Sequence, residues 1–257
     1  MITLEPNALV WGIVGNLGGG KTLSGVELAV RCLRSGFAVV TNVNLHIDQI
    51  CREYHIPWAK KLYFTVSLDD PSFADPKGGP WKWPCGDPRG SGGEKRVIVL
   101  LDEIAEWMDQ YCNAKSPTIQ NFWSWLRHSS KRSQDVVLIC QRQSYIHKTV
   151  RTLVARWIWV DDLAVYRLPA LKIKLPFCGG LVMQNVFDRN GSRVGMVSFI
   201  KKANAGRFYD TAQCLNQTGA AFASVYSVPQ TKYRFSWSFL FLASSTLLYL
   251  LYLRFTT

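Results

Sequence analysis

Apolar residues fall in short runs along the first two-thirds of the chain, each bounded by glycine or polar residues. Residues 9–14 form the first run and read as a buried strand. The period then changes. Leu23, Val26, Val30 and Leu33 recur every three or four positions, which predicts a helix over 22–33 with Gly36 as its stop. Residues 37–41 and 62–66 read as short strands, with a short helix over 47–54 between them. Residues 69–93 are dense in Pro, Gly and Trp and show no period, so they read as a long surface loop. Within it, Trp81-Lys82-Trp83 suits either stacking on nucleic-acid bases or an aromatic pair that shields apolar surface. Residues 97–101 are five consecutive apolar side chains followed by Asp102 and Glu103, the pattern of a central parallel strand with acids at its tip. A helix follows over 117–130, carrying Ile119, Phe122, Trp123 and Leu126, then strands over 136–140 and 155–160. Strands alternating with helices predict an α/β parallel sheet that binds its ligand at the carboxyl ends of the strands.

The pattern changes again beyond residue 165. Residues 181–187 and 194–200 flank Asn190-Gly191, a hairpin turn signal, and predict a small β appendage. Residues 203–229 are polar and rich in Ala, Ser and Gln. Residues 235–253 hold no charge, and 19 apolar-rich residues at about 1.5 Å each match a bilayer core of about 30 Å. Trp237 at one end and Tyr249 and Tyr252 at the other suit the membrane interfaces. Lys232 and Arg234 precede this stretch and only Arg254 follows, so the positive-inside rule places the main body in the cytoplasm. The expected organisation is a core over 1–165, a β-rich appendage over 166–212, a polar juxtamembrane linker over 213–234, a C-terminal transmembrane helix over 235–253, and an extracytoplasmic tail over 254–257.

Between the first strand and first helix lies Gly15-Asn16-Leu17-Gly18-Gly19-Gly20-Lys21-Thr22, which fits G-x-x-x-x-G-K-[ST]. Glycines let successive N–H groups turn inward into an anion-sized nest, and the following helix points its amino end at the loop. The residues expected to hold ATP are Gly15, Asn16, Leu17, Gly18, Gly19, Gly20, Lys21, Thr22 and Leu23. Lys21 is expected at the β- and γ-phosphates, and Thr22 with Asp102 at Mg2+. Glu103 is expected to polarise the attacking water, turned away from Asp102 by strand alternation. Gln141, at the end of the 136–140 strand, stands where ATPases with an added strand carry a γ-phosphate sensor. The reading is therefore a P-loop NTPase of the additional-strand, RecA/FtsK-like type.

Net charge is +12, from 30 basic and 18 acidic residues, and suggests an anionic partner. The seven cysteines are scattered without a C-x-x-C pair, which argues against structural zinc and a disulfide framework and for a reducing compartment. The amino terminus has the features of neither a basic n-region nor an apolar h-region, so no cleaved leader is expected.

These stretches, together with Trp107, Trp125-Leu126-Arg127-His128, Asp135 to Gln141, Leu175-Pro176-Phe177 and Tyr209-Asp210-Thr211, resemble the zonula occludens toxin-like family. That family includes the assembly ATPases of filamentous bacteriophages, and the likeness covers roughly residues 8 to 212 and the later apolar span. The resemblance implies an oligomeric ATPase, here expected as a ring, in the host inner membrane. It would drive extrusion of single-stranded phage DNA while coat proteins replace the DNA-packaging protein. Such proteins usually continue into a sizeable periplasmic domain, whereas only residues 254–257 follow the span here. P-loop motors often receive an arginine from a neighbouring subunit. Arg127, Arg132, Arg142, Arg151 and Arg156 are available after Glu103, and Arg151, where the resembling phage proteins also carry an arginine, is favoured ahead of Arg127. The alternative functions are a genome-packaging ATPase of a membrane-containing phage and a non-hydrolysing, nucleotide-gated membrane scaffold. A small-molecule kinase fits less well, because of the Asp102-Glu103 pair and the apolar span.

Overall fold

The structure, a computed structural model, describes residues 10–86, 96–162, 181–200 and 208–209. The chain divides into two compact units, 1–213 and 214–257, and the second lies outside the described residues. Among the described residues eight strands form one sheet: β1 (Val10–Val14), β2 (Ala38–Thr41), β3 (Tyr63–Thr65), β4 (Val97–Leu101), β5 (Gln134–Cys140), β6 (Arg156–Asp162), β7 (Leu181–Asp188) and β8 (Arg193–Ile200). Their order is β3-β2-β4-β5-β1-β6-β7-β8. The first six in that order are parallel. Strands β1, β4 and β5 are buried along their whole length, which is why their sequences are continuous apolar runs instead of alternating ones. Strand β5 separates β1 from β4, the added-strand arrangement expected from the sequence.

The helices are α1 (Lys21–Arg34), α2 (Ile47–Tyr54), α3 (Ala59–Leu62), α4 (Ile104–Trp107), α5 (Pro117–His128) and α6 (Lys148–Arg151). One core joins α1 and α2 to the face carrying Ile13, Ile98, Leu100, Val137 and Ile139. The other joins α4 and α5 to the face carrying Val14, Val99, Leu101, Leu138 and Cys140. Helix α1 lies close on the sheet because Gly25 presents no side chain there: a Cβ would stand 2.6 Å from Ile139 Cδ1.

Residues 69–93 are not a surface loop where the structure describes them. Two 3-10 turns, Pro71–Ala74 and Gly79–Lys82, fold the segment onto α5. Phe73 and Trp83 are 2% and 8% exposed, with ring centroids 4.5 Å from Trp107 and 5.1 Å from Trp125 respectively. The Asn121 amide donates to the Phe73 and Asp75 carbonyls, and its oxygen accepts from Trp81 Nε1 at 2.7 Å. Arg132 donates to the carbonyls of Trp81 and Trp83, and Gln134 to that of Pro84. Side chains therefore satisfy the backbone of an aperiodic segment, and its aromatics supply the burial. Of the two readings of Trp81-Lys82-Trp83, the shielding pair is the one observed.

The 181–200 hairpin forms, but it extends the sheet and is no separate layer. Strand β7 pairs antiparallel with β6, in register from Arg156↔Asp188 to Asp162↔Val182, and β8 follows. No helix among the described residues is long and apolar enough to cross a membrane, and residues 213–257, which include the expected span, lie outside them.

Candidate active site

The loop joining β1 to α1 is shaped by its glycines. Gly18 and Gly20 have φ of 70° and 86°, in the left-handed region where a Cβ is costly. A Cβ on Gly15 would stand 2.3 Å from the Val160 carbonyl oxygen. The Asn16 carbonyl is the hub of the loop: it accepts from Gly19 N–H at 2.9 Å and from Lys21 Nζ at 3.1 Å. Lys21 is 6% exposed, so its ammonium sits on a neutral partner inside the loop, ready for a stronger anionic one. Leu17 is exposed at the loop tip. Leu23 is buried in the core, so its side chain cannot face a nucleotide.

Across the site, Thr22 Oγ1 donates to Asp102 Oδ2 at 2.7 Å. Residues eighty positions apart thus meet because α1 starts, and β4 ends, at the same edge of the sheet. The other Asp102 oxygen accepts from Glu103 N–H at 2.9 Å. Burial pushes the Asp102 carboxyl up, against the opposing hydrogen bond from Thr22. Burial also raises Glu103, and the neighbouring Asp102 charge adds to it. Glu103 leaves the strand with φ 49° and caps α4, so this left-handed residue, not strand alternation, aims its side chain. A non-glycine held in that region stores of order 1–3 kcal/mol, which is the kind of strain found at functional sites. Cys140 lies near both acids, and burial pushes its thiol up to about 12. A buried carboxylate raised by desolvation and bonded to a hydroxyl offers hard oxygen donors, which fit Mg2+. Thr22 and Asp102 are the residues that would hold it, and the ion would supply positive charge against phosphate oxygens.

One residue was missed by sequence reasoning. Asn42, just past β2, clasps the strand tip: its Nδ2 donates to the Asp102 carbonyl at 2.9 Å and its Oδ1 accepts from Asp102 N–H at 2.7 Å. A lone Asn at the carboxyl end of a short strand was the available signal.

Gln141 follows β5 with its side chain exposed, and its carbonyl accepts from Gly15 N–H at 3.4 Å, so it borders the loop. The arginines are placed differently. Arg127 is exposed in the last turn of α5, and Gln134 N–H, at the start of β5, bonds the nearby Ser129 carbonyl. Arg151 ends α6, and Ala155 N–H bonds the Val10 carbonyl at the start of β1. Both lie toward the amino edge of the sheet, opposite the phosphate loop, and neither joins the loop of its own chain. Arg132 is engaged with Trp81, Trp83 and Gln134. Arg142 lies over Tyr145 and Arg156 over Trp11.

Residues 12–175 match the Zonular occludens toxin (Zot) family. The chain belongs to the Zot family. The matched stretch contains the phosphate loop, Asn42, Asp102 and Glu103, the end of β1 and the whole of β2 to β6. Among Zot-family relatives, the Gene 1 protein of Enterobacteria phage I2-2 is 30% identical over 177 residues, covering 67% of this chain and 44% of that protein. The Gene 1 protein of Salmonella phage IKe is 28% identical over 181 residues, with the same coverage. The chain thus spans less than half the length of the curated relatives it matches. The crystal structure of the N-terminal domain of zonular occludens toxin from Neisseria meningitidis aligns with TM-score 0.45 and 18% identity, covering 79% of this chain and 99% of that one. The genome packaging NTPase B204 from Sulfolobus turreted icosahedral virus 2 aligns at 0.43 and 12%, covering 77% and 100%.

Proposed function

We propose that this Zot-family chain is a membrane-anchored motor ATPase that drives assembly and extrusion of a filamentous phage, exporting single-stranded DNA through the host inner membrane. The observation that carries the hydrolytic part is the Thr22–Asp102 hydrogen bond beside the buried Lys21, with Glu103 held next to them. The loop N–H groups and Lys21 bind the β- and γ-phosphates of ATP, and Thr22 and Asp102 would hold an Mg2+ ion that would supply positive charge there. Glu103 orients the attacking water; its raised proton affinity suits a group that must hold a water proton in the transition state. Gln141, at the loop border, senses the γ-phosphate. The arginine that completes the site comes from a neighbouring subunit of a homo-oligomeric ring, with Arg151 and then Arg127 as the candidates. Export is supported by kinship with phage Gene 1 proteins. Anchoring rests on residues 235–253, with the ATPase in the cytoplasm, and phage coat proteins and the packaged DNA complex are the expected partners.

Phosphate release from the purified full chain, with phage yield from complemented cells, tests this. Lys21→Ala is expected to lose ATP binding and nearly all turnover. Glu103→Gln is expected to bind ATP and hydrolyse it orders of magnitude more slowly. Either variant turning over ATP at the wild-type rate refutes the assignment. Normal phage yield from the Lys21→Ala gene refutes the motor.

A further inference from the structure

On the sheet face that carries Trp157 lies a concavity of about 620 Å³, lined by Gln143, the end of α6, strands β6 and β7, and the β7–β8 turn. It runs from the amino edge of the sheet, at Arg151 and Arg189, toward the carboxyl edge, where Trp159 pairs with Val14 just before the phosphate loop. Its floor is aromatic. Trp157 lies flat over the β1 backbone, where a Cβ on Gly12 would stand 2.2 Å from its Cε3, and is 5% exposed. Trp159, two residues on and on the same face, is 44% exposed although β6 is an interior strand. The Phe187 ring stands beside it, with centroids 6.4 Å apart and planes at 72°, while nearly half of the Trp159 surface stays open. Strand pairing puts Trp159, Asn185 and Met196 side by side, and Met196 is 56% exposed, so a polar amide stands between two exposed apolar side chains.

The rim is cationic. Arg151 and Arg189 both line the concavity, and the Arg189 guanidinium donates to the Thr152 carbonyl, which ties the hairpin turn to the end of α6. The acid in its lining, Asp188, accepts from the N–H groups of Asn190 and Ser192 and is engaged within the turn. An exposed indole and guanidinium groups in one concavity are complementary to one ligand chemistry: an unpaired base flanked by its phosphates. A duplex hides its base faces, so the fit is to a single strand.

We propose that this concavity is a sequence-neutral binding site for single-stranded nucleic acid, with a base stacked on Trp159 and backbone phosphates at Arg189 and Arg151. Its arginines lie toward the amino edge of the sheet and its indole beside Val14, at the foot of the ATP loop, and the site gives Arg151 a role that needs no neighbouring subunit. It deepens the DNA-handling part of the function proposed above without depending on hydrolysis.

The test is fluorescence anisotropy of a labelled oligothymidylate titrated with the full chain, read beside binding of a fluorescent ATP analogue. Trp159→Ala is expected to weaken oligonucleotide binding about 5- to 150-fold, the loss of one stacked base, and Trp159→Phe to retain most of it. Arg189→Ala is expected to lower the slope of log affinity against log salt by about 0.7, one phosphate contact on a single strand. All three variants should bind the ATP analogue as the wild type does, which also shows them folded. Wild-type oligonucleotide affinity in both Trp159→Ala and Arg189→Ala overturns the proposal. So does duplex binding tighter than single-strand binding, or Trp159-dependent binding to anionic phosphatidylglycerol vesicles without any to the oligonucleotide. Lys21→Ala is expected to bind oligothymidylate normally, so failure of this site and failure of the motor assignment give different results.

Discussion

Asn42 offers the sharpest test of how the acidic strand tip is held. Its side chain makes two hydrogen bonds to the backbone of Asp102, at 2.9 and 2.7 Å, and touches the carboxylate through neither. Asn42→Ala removes both. At about 0.5–1.5 kcal/mol net each, the folded state loses about 1–3 kcal/mol, and the Asp102 N–H and C=O lose their partner where the chain leaves the sheet. The carboxylate then loses its fixed aim toward Thr22, and Glu103, one residue on, loses its own. If that order is needed only in the transition state, the same 1–3 kcal/mol appears as a fall in kcat of about 5- to 150-fold. KM for ATP should change little, because the phosphate loop is built without Asn42. Asn42→Asp should be no better: it keeps the acceptor, turns an oxygen toward the Asp102 carbonyl, and adds a charge beside a carboxyl that burial already disfavours. Urea unfolding and steady-state ATPase kinetics on the same preparations measure both effects. Wild-type kcat in Asn42→Ala, with stability lowered as expected, refutes the positioning role and leaves a purely structural one.

Other outcomes follow from the same structure. Asp102 has its proton affinity raised in the fold, so ionising it costs stability, and that cost grows as pH rises from its unfolded to its folded value. In metal-free buffer Asp102→Asn should therefore melt higher than the wild type at pH 7, with the difference fading below about pH 4, where the unfolded carboxyl is itself protonated; a lower melting point at pH 7 contradicts this. Burial pushes the thiols of Cys32 and Cys140 up to about 12, while Cys85 is exposed. Mass spectrometry after brief iodoacetamide treatment at pH 8 should find Cys85 modified and Cys32 and Cys140 untouched until the protein is unfolded. If residues 235–253 cross the membrane as proposed, a reporter fused after Thr257 should be active only outside the cytoplasm, because basic residues precede that stretch; cytoplasmic activity would argue against a single crossing.

The parts of this architecture that were legible in the sequence are those built from local pattern. Strands β1, β4 and β5 are apolar on both faces, and α1 carries a helical stripe, so each announces itself. The glycines of the phosphate loop are legible because backbone conformation dictates residue type there. What escaped was held by long-range contact. Residues 69–86 have no period because Asn121, Arg132 and Gln134, far along the chain, satisfy their backbone. The β7–β8 hairpin was readable as a hairpin, but its edge-to-edge joining to β6 was not, since pairing partners leave no mark in composition. Asn42 is a single polar residue after a four-residue strand, and its meaning comes from the neighbouring strand. Arg151 and Arg127 were read as candidates to complete a neighbouring subunit's site, and in their own chain the crossovers carry both toward the edge opposite the phosphate loop.

The strand order also sets a schedule for synthesis. Strand β1 leaves the ribosome first, yet both its neighbours, β5 and β6, come from beyond residue 133. Val10 pairs with Val136, so 126 residues (136 − 10) must be translated before the phosphate loop has a scaffold. At about 5–20 residues per second this leaves a bare apolar strand waiting for roughly 6–25 s. Strands β2, β3 and β4 pair with one another in the meantime and form a half-sheet with β4 as an open edge. The nascent chain therefore keeps apolar strand edges uncovered until β5 enters between its two parts, and slow codons placed before residue 134 should lower the soluble yield more than the same codons placed after residue 162.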